Sequence, residues 1–181
     1  MTHPETRIPT VPDDQLAPHD VVASIRKRRG GTLLNLDRML LNSPAYAVGW
    51  NTFLGAVRTG LSLDPKLREL AICAVAVINR ADYELVQHAG EFLQCGGTQA
   101  QLERLQDIDA AATDTAVFDA AERATLAFTT EMTRHVQVSD ACFAQLRHVL
   151  PAAQSQVELA GVVAAYNMVS RFLEALQVAP E

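Results

Sequence analysis

Three ionisable residues, Glu69, Glu84 and His88, have the types and spacing that suit proton-transfer chemistry. Glu84 and His88 are four residues apart, so one helical turn would bring the carboxylate within reach of the imidazole. A carboxylate bound to an imidazole fixes its tautomer and raises its basicity, and histidine titrates close to neutral pH. The pattern predicts general acid–base catalysis, with His88 as the acid–base, Glu84 as its orienting partner and Glu69 as a second carboxylate facing the pocket.

Glu69 begins an apolar helix. The residues from Leu70 to Ile78 are apolar around the whole circumference, which is typical of a helix that is buried on every side. Two environments stay open for the Glu69 carboxylate. It lies either near the surface, where the helix dipole stabilises its charge, or in the interior, where desolvation raises its pKa.

The next helix carries Glu84 and His88 on the face opposite its apolar stripe, in line with Glu91 and Cys95. This pattern alone is typical of a solvent-exposed face. A catalytic site there would have to be enclosed from outside the core of its own helix, so the functional interpretation predicts a neighbouring subunit over it and at least a dimer. The predicted apolar stripe consists of Leu85, Val86, Ala89, Phe92 and Leu93.

Metal and thiol chemistry are both disfavoured. A lone histidine with two carboxylates is a poor transition-metal ligand set, so neither a metal nor another cofactor is predicted. The three cysteines, Cys73, Cys95 and Cys142, are widely spaced, form no C-x-x-C pair and are interpreted as unreactive core residues. Arg171, one turn after Asn167, could bind a substrate carboxylate or form a structural salt bridge.

The composition is that of a globular protein. The chain has 181 residues, of which 49% are hydrophobic and 20% charged, enough for one domain with a substantial core. Its net charge of −6 argues against a nucleic-acid partner, and the basic cluster 26–29 is interpreted as a helix end. The polar N-terminus is no signal peptide, and the apolar run 159–166 is short for a membrane span, so a soluble cytoplasmic protein is expected.

Helix signals recur after residue 19 and no strand is convincing, so an all-α fold is predicted. Residues 1–19 contain four prolines and are predicted to form an extended arm before a single helical domain over 20–181. The segment 107–117 is predicted to be the most flexible. Helix starts are indicated by Asp20, Ser43-Pro44, Asp64-Pro65, Thr98-x-x-Gln101, Asp119-x-x-Glu122, Ser139 and Ser155-x-x-Glu158.

The order of short motifs from residue 67 to residue 173 carries a family resemblance. These motifs are Leu67-Arg68-Glu69-Leu70, Asp82-Tyr83-Glu84, His88, Gly96, and the later runs 122–129, 138–140, 157–159 and 166–173. Together they resemble the carboxymuconolactone decarboxylase family, in the branch of the AhpD-like superfamily without redox cysteines. The resemblance implies an all-α helical bundle whose subunits pack into dimers, trimers or hexamers.

The resemblance also implies roles for single residues. Peroxidase members use a C-x-x-C pair, a histidine four residues later and a glutamate on the preceding helix. Here the cysteine positions fall on Ala81 and Glu84, the glutamate on Glu69 and the histidine on His88, so disulfide-based peroxide reduction lacks its thiols. Decarboxylase members have a glutamate and a histidine at the positions of Glu84 and His88, where decarboxylation of a lactone acid needs a proton donor.

The leading hypothesis is therefore a decarboxylase-like lyase, a non-redox acid–base catalyst acting on a small organic acid or lactone. Tyr83 and Arg171 are predicted to contact the substrate. One alternative is a non-catalytic oligomer that binds a small molecule, and another is a residual thiol peroxidase that uses Cys73 or Cys95. The expected partners are a small-molecule substrate and further copies of the chain, with neither nucleic acid nor a membrane.

Overall fold

The computed structural model describes residues 6–181, and within this range the secondary structure is helical, without strands. The predicted all-α fold is confirmed. A one-turn 3₁₀ helix (Asp13–Gln15) precedes the α-helices. These are α1 (His19–Arg29), α2 (Asn35–Leu40), α3 (Pro44–Thr59), α4 (Pro65–Asn79), α5 (Asp82–Gln94), α6 (Gln99–Arg104), α7 (Ile108–Ala111), α8 (Ala120–His135), α9 (Asp140–Val149) and α10 (Ala153–Leu176).

Side-chain caps explain where several helices begin. The Asp64 carboxylate accepts hydrogen bonds from the backbone N–H groups of Lys66, at 2.8 Å, and Leu67, at 3.2 Å, and Pro65 then opens α4. The predicted capping boxes are present at Thr98 with Gln101 and at Asp119 with Glu122. The third predicted box is wrong, because α10 begins at Ala153 and Ser155 lies inside it.

Two predicted segments need correction. Residues 6–18 contain no α-helix, and within them Asp13–Gln15 form a 3₁₀ turn. Helix α1 begins at His19 after an N-cap at Pro18, so Asp20, predicted as the cap, lies in its first turn. Residues 1–5 of the predicted arm lie outside the described residues. The segment 107–117, predicted to be flexible, contains α7, whose Ile108 and Ala111 are buried in the core. These two apolar side chains anchor the segment.

The chain divides into two compact units. The first extends to Leu61 and includes Phe172–Glu181, and the second comprises Ser62–Arg171. In the first unit, buried Asp37 forms salt bridges with Arg28 and Arg29 from the basic end of α1, as close as 3.0 Å for Arg29. This confirms that the basic cluster 26–29 ends a helix, and it adds an ion-pair role that the sequence pattern did not indicate.

The second unit is built around α4. Nine α4 residues are buried, Glu69 among them, which confirms that this helix is enclosed on every side. The core cluster beside it contains Leu70, Cys73, Ala74, Phe92, Leu105, Ile108, Ala111, Phe118 and Leu126. Because Glu69 lies on a buried face of α4, its carboxylate must find its hydrogen-bonding partners inside the protein.

Helix α10 is long and apolar enough, at 24 residues, to cross a membrane by length and composition alone. Nearly half of its apolar window, 44%, is buried inside the protein. Core helices of soluble proteins share these features, so α10 is weak evidence for a membrane span.

Candidate functional site

Glu69 and His88 form a buried hydrogen-bonded pair in the second unit. Oε2 of Glu69, on α4, lies 2.7 Å from Nδ1 of His88, on α5. Glu69 is 2% exposed and His88 is 4% exposed. A bond this short between two groups withdrawn from water is the geometry of a charge-assisted hydrogen bond, with the imidazole N–H donating to the carboxylate.

The second oxygen of Glu69 is bound as well. Nε of Arg68 donates to Glu69 Oε1 at 3.1 Å, and the Arg68 side chain is 15% exposed. Burial acts most strongly on the pKa of Glu69 and raises it, but the hydrogen bonds and charges of His88 and Arg68 together outweigh burial. The net effect holds the pKa of the Glu69 carboxyl below its usual value. Of the two predicted environments the interior one is therefore correct, but its raised pKa is wrong, because the partners of Glu69 lower the pKa instead.

Glu84 lies one turn before His88 on α5 and is 3% exposed. Glu84 faces the same part of the interior as Glu69, because the charges of both carboxylates raise the pKa of the Cys73 thiol. The predicted substrate contact Tyr83 is also buried. The structure thus brings Glu69, Glu84 and His88 into one part of the second unit, and Glu69 provides the carboxylate on His88 Nδ1.

An aromatic ring contacts the histidine from α10. Tyr166 meets His88 edge to face, with the ring centroids 4.9 Å apart and an angle of 88° between the planes. Tyr166 is itself buried. Such a contact holds the imidazole plane in one orientation and excludes water from that side. Tyr166 was not predicted as a site residue, since nothing in the sequence pairs a tyrosine on the last helix with a histidine on α5.

The face of α5 that carries Glu84 and His88 is enclosed by the chain itself. This corrects the expectation that a neighbouring subunit must cover that face, since α4 and α10 contribute Glu69 and Tyr166 to it. The predicted apolar stripe is partly outward instead, with Phe92 buried but Val86 65% exposed. The hydrophobic pattern of α5 failed because its polar side chains are paired in the interior while some apolar ones face outward.

Arg171 belongs to a different environment. Its guanidinium donates to the backbone carbonyl of Asn167 at 3.0 Å and to the Asn167 side-chain oxygen, and the residue is exposed. Asn167 in turn donates to Thr133 Oγ1 at 2.9 Å. Within the described residues, the contacts of Arg171 tie it to its own helix, and none joins it to Glu69 or His88.

The cysteines lack the environment of reactive thiols. Burial, followed by the charges of Glu69 and Glu84, raises the pKa of Cys73 to about 12. Burial and then Glu131 raise the pKa of Cys142 to about 11, and burial and then Glu69 raise the pKa of Cys95. A thiol reacts as its thiolate, so these shifts oppose nucleophilic chemistry near neutral pH. Among residues 6–181, no group of three or more His, Cys, Asp or Glu side chains is arranged to hold a metal ion.

Comparison with known proteins supports the family resemblance of the sequence. Residues 44–130, which contain Arg68, Glu69, Glu84 and His88, match the model of the carboxymuconolactone decarboxylase family. This match, over slightly less than half of the chain, supports a carboxymuconolactone decarboxylase-like family. No curated protein is similar enough in sequence to serve as a relative.

Solved structures show the same fold. A peroxidase-related protein from Silicibacter sp. TM1040 is 22% identical, with a TM-score of 0.80 over 98% of this chain and 95% of that one. An AhpD-core protein from Ralstonia eutropha is 20% identical, with a TM-score of 0.83 over 99% and 94%. The debrominase Bmp8, solved with 2,3,4-tribromopyrrole, is 15% identical, with a TM-score of 0.78 over 98% and 94%. At these identities the similarity establishes the fold alone.

Proposed function

We propose that this protein, part of which matches the carboxymuconolactone decarboxylase family, is a non-redox acid–base catalyst that decarboxylates, or moves a proton on, a small organic acid or lactone. The observation that carries the proposal is the buried 2.7 Å hydrogen bond between Glu69 Oε2 and His88 Nδ1. An ionised carboxylate on Nδ1 keeps the proton there in the neutral imidazole. Nε2, on the far side of the ring, then exchanges protons with the substrate.

The proposed reaction uses the imidazole in both protonation states. Loss of carbon dioxide from a lactone acid leaves the electron pair of the broken C–C bond delocalised as an enolate. Nε2–H of the imidazolium delivers a proton to carbon, and His88 then recovers a proton from water. Glu69 stabilises the imidazolium, as carboxylates do in other acid–base pairs. Glu84 and Tyr83 are proposed to contact the substrate next to the imidazole.

A thiol peroxidase is the weaker alternative. The positions of the two redox cysteines in peroxidase members fall on Ala81 and Glu84 in this chain, and Ala81 is buried. Raised pKa values of the three thiols add to this argument, since a disulfide cycle begins with a thiolate. We expect no turnover of alkyl hydroperoxides with a dithiol reductant.

Incubation with a panel of small lactone acids in deuterated water tests the proposal. Carbon dioxide release and deuterium incorporation into the remaining lactone are expected for the wild type and should fall at least about 100-fold in His88→Gln. His148→Gln is the matched control, because His148 lies on α9 and is exposed. Binding by calorimetry without either reaction would favour the alternative of a non-catalytic binding protein.

Self-association and a cytoplasmic location are proposed with the function. Support for self-association comes from the outward side of α5, where Val86 is 65% and Leu93 is 40% exposed, because apolar side chains at helical spacing commonly mark a subunit contact. We expect light scattering to return a dimer, trimer or hexamer of the 19.7 kDa chain. A Val86→Glu, Leu93→Glu variant should shift the mass towards the monomer, whereas a monomeric wild type would rule out self-association.

A further inference from the structure

Arg68 and Glu69 form an ion pair between adjacent residues of one helix. Neighbours in an α-helix point about 100° apart, so they do not normally face each other. Here Nε of Arg68 nonetheless lies 3.1 Å from Glu69 Oε1. The ion pair therefore requires a particular conformation of both side chains, and helical spacing alone would not produce it.

The two oxygens of Glu69 have separate partners. Oε1 accepts from Arg68, and Oε2 accepts from Nδ1 of His88 at 2.7 Å. An ionised carboxylate buried with a single partner could rotate or take up a proton, since burial favours its neutral form. A cation on Oε1 opposes both changes and leaves Oε2 aimed at the imidazole.

We propose that Arg68 is the positioning residue of this site, which anchors Oε1 of Glu69 so that Oε2 fixes the Nδ1–H tautomer of His88. The catalytic consequence rests on the proposed function, whereas the effect on the tautomer does not. Arg68 acts through Glu69, so it need not contact a substrate. The mostly buried position of Arg68, with a side chain 15% exposed, favours this role over that of a mobile surface charge.

Other groups around His88 act on the ring in different ways. Tyr166 packs against it edge to face and sets its plane, while Glu84 and Cys73 occupy the same interior. A substitution at Arg68 leaves the side chains of Tyr166, Glu84 and Cys73 unchanged. A shift in the tautomer of His88 on substitution of Arg68 therefore reports on the path through Glu69.

Nitrogen-15 NMR of histidine-labelled protein measures the tautomer directly, at a pH where the ring is neutral. We expect the wild type to show mainly the Nδ1–H tautomer, and Arg68→Gln to reduce the ratio of Nδ1–H to Nε2–H by about three- to tenfold. Arg68→Met, which is similar in length and apolar, gives the same expectation if the glutamine variant does not fold. Glu69→Gln is the positive control and should abolish the preference.

The matched negative control is Arg171→Gln. Arg171 also binds a neighbour on its own helix, but it is exposed and has no contact with the pair, so wild-type shifts are expected. Arg68→Lys should recover most of the preference, because a single nitrogen–oxygen bond does not require the guanidinium fork. Folded Arg68→Gln or Arg68→Met protein with the wild-type tautomer ratio would overturn the proposal, as would a lysine variant no better than methionine.

Kinetics separate this proposal from the proposed function. If a lactone acid is turned over, Arg68→Gln should lower kcat with little change in KM, because the substrate does not touch Arg68. A wild type that turns over no substrate, combined with an Arg68-dependent tautomer, would remove the proposed function and leave the positioning role in place. Turnover that is abolished by His88→Gln but unchanged by Arg68→Gln would support the proposed function and remove the positioning role of Arg68.

Discussion

The tripeptide Glu-Leu-Ala occurs twice in the second unit, and its two glutamates have different surroundings. Glu69, on α4, is buried against His88 and Arg68. Glu158, on α10, is half-buried, and its Oε2 accepts from the backbone N–H groups of Ser62, at 2.9 Å, and Leu63, at 2.7 Å. One carboxylate is bound to a guanidinium and an imidazole, and the other is bound to backbone amides and neutral side chains.

The two sites lower the pKa of their carboxyls by different causes. For Glu158 the leading cause is the side-chain hydrogen bond from Gln154, which lowers the pKa. Burial comes next and raises it, and the Ser62 and Leu63 amides lower it further. For Glu69, burial is the largest single effect and raises the pKa, and the charged partners reverse it. Identical local sequence therefore gives a loop anchor in one place and a candidate proton-transfer group in the other, according to what packs against it.

The largest expected difference between the two glutamates is the loss of turnover when each is replaced by glutamine. Glu69→Gln removes the anion that holds the imidazole and stabilises the imidazolium, so deuterium incorporation into a lactone substrate is expected to fall by about 100- to 10,000-fold. Glu158→Gln leaves His88 and its partners in place and should retain wild-type turnover. Equal losses of turnover in the two variants would contradict a catalytic role for Glu69 and a purely structural role for Glu158.

Replacing each glutamate by alanine should also lower the free energy of unfolding by different amounts. Glu69→Ala leaves Arg68 and His88 buried without their common partner, which costs about 3 kcal/mol in the free energy of unfolding. Glu158→Ala removes hydrogen bonds at a more exposed position, where water replaces them, so a smaller loss is expected. Urea denaturation followed by circular dichroism measures both, and a Glu158 loss as large as the Glu69 loss would contradict this ranking.

A smaller effect is expected in the pH dependence of stability. Because the folded-state pKa of Glu69 is lowered, its contribution is complete above the ordinary carboxyl value of 4.5 and is lost as the pH falls through the lowered value. The stability difference between the wild type and Glu69→Gln should therefore be largest near about pH 7 and shrink towards about pH 3. A difference that grew on acidification would indicate a raised pKa instead.

The sequence predicted the helices well because their signals are local. Asp64-Pro65 indicated the start of α4, and the apolar run after Glu69 indicated a helix buried on every side, as the structure has it. Gly30, with φ of 76°, ends α1 at the expected place. Capping and hydrophobic period involve residues a few positions apart, so a single sequence carries this information.

Partners across helices were harder to predict. The sequence predicted Glu84 as a partner of His88 because it lies one turn away, but gave no sign of the hydrogen bond between Nδ1 and Glu69, nineteen positions earlier. Tyr166 and Arg68 were missed for the same reason, since one lies on α10 and the other makes a contact that helical spacing does not favour. The hydrophobic stripe of α5 gave a wrong prediction of which face is buried, because polar side chains that are paired with each other can lie in the interior.

The position of one proton tests the central claim most directly. Neutron diffraction from deuterated crystals near neutral pH locates it without reference to any substrate. We expect a deuteron on Nδ1 of His88, pointing at Oε2 of Glu69, and a Glu69 carboxylate that carries none. A deuteron on Glu69, or a Glu69 side chain turned away from His88, would contradict it.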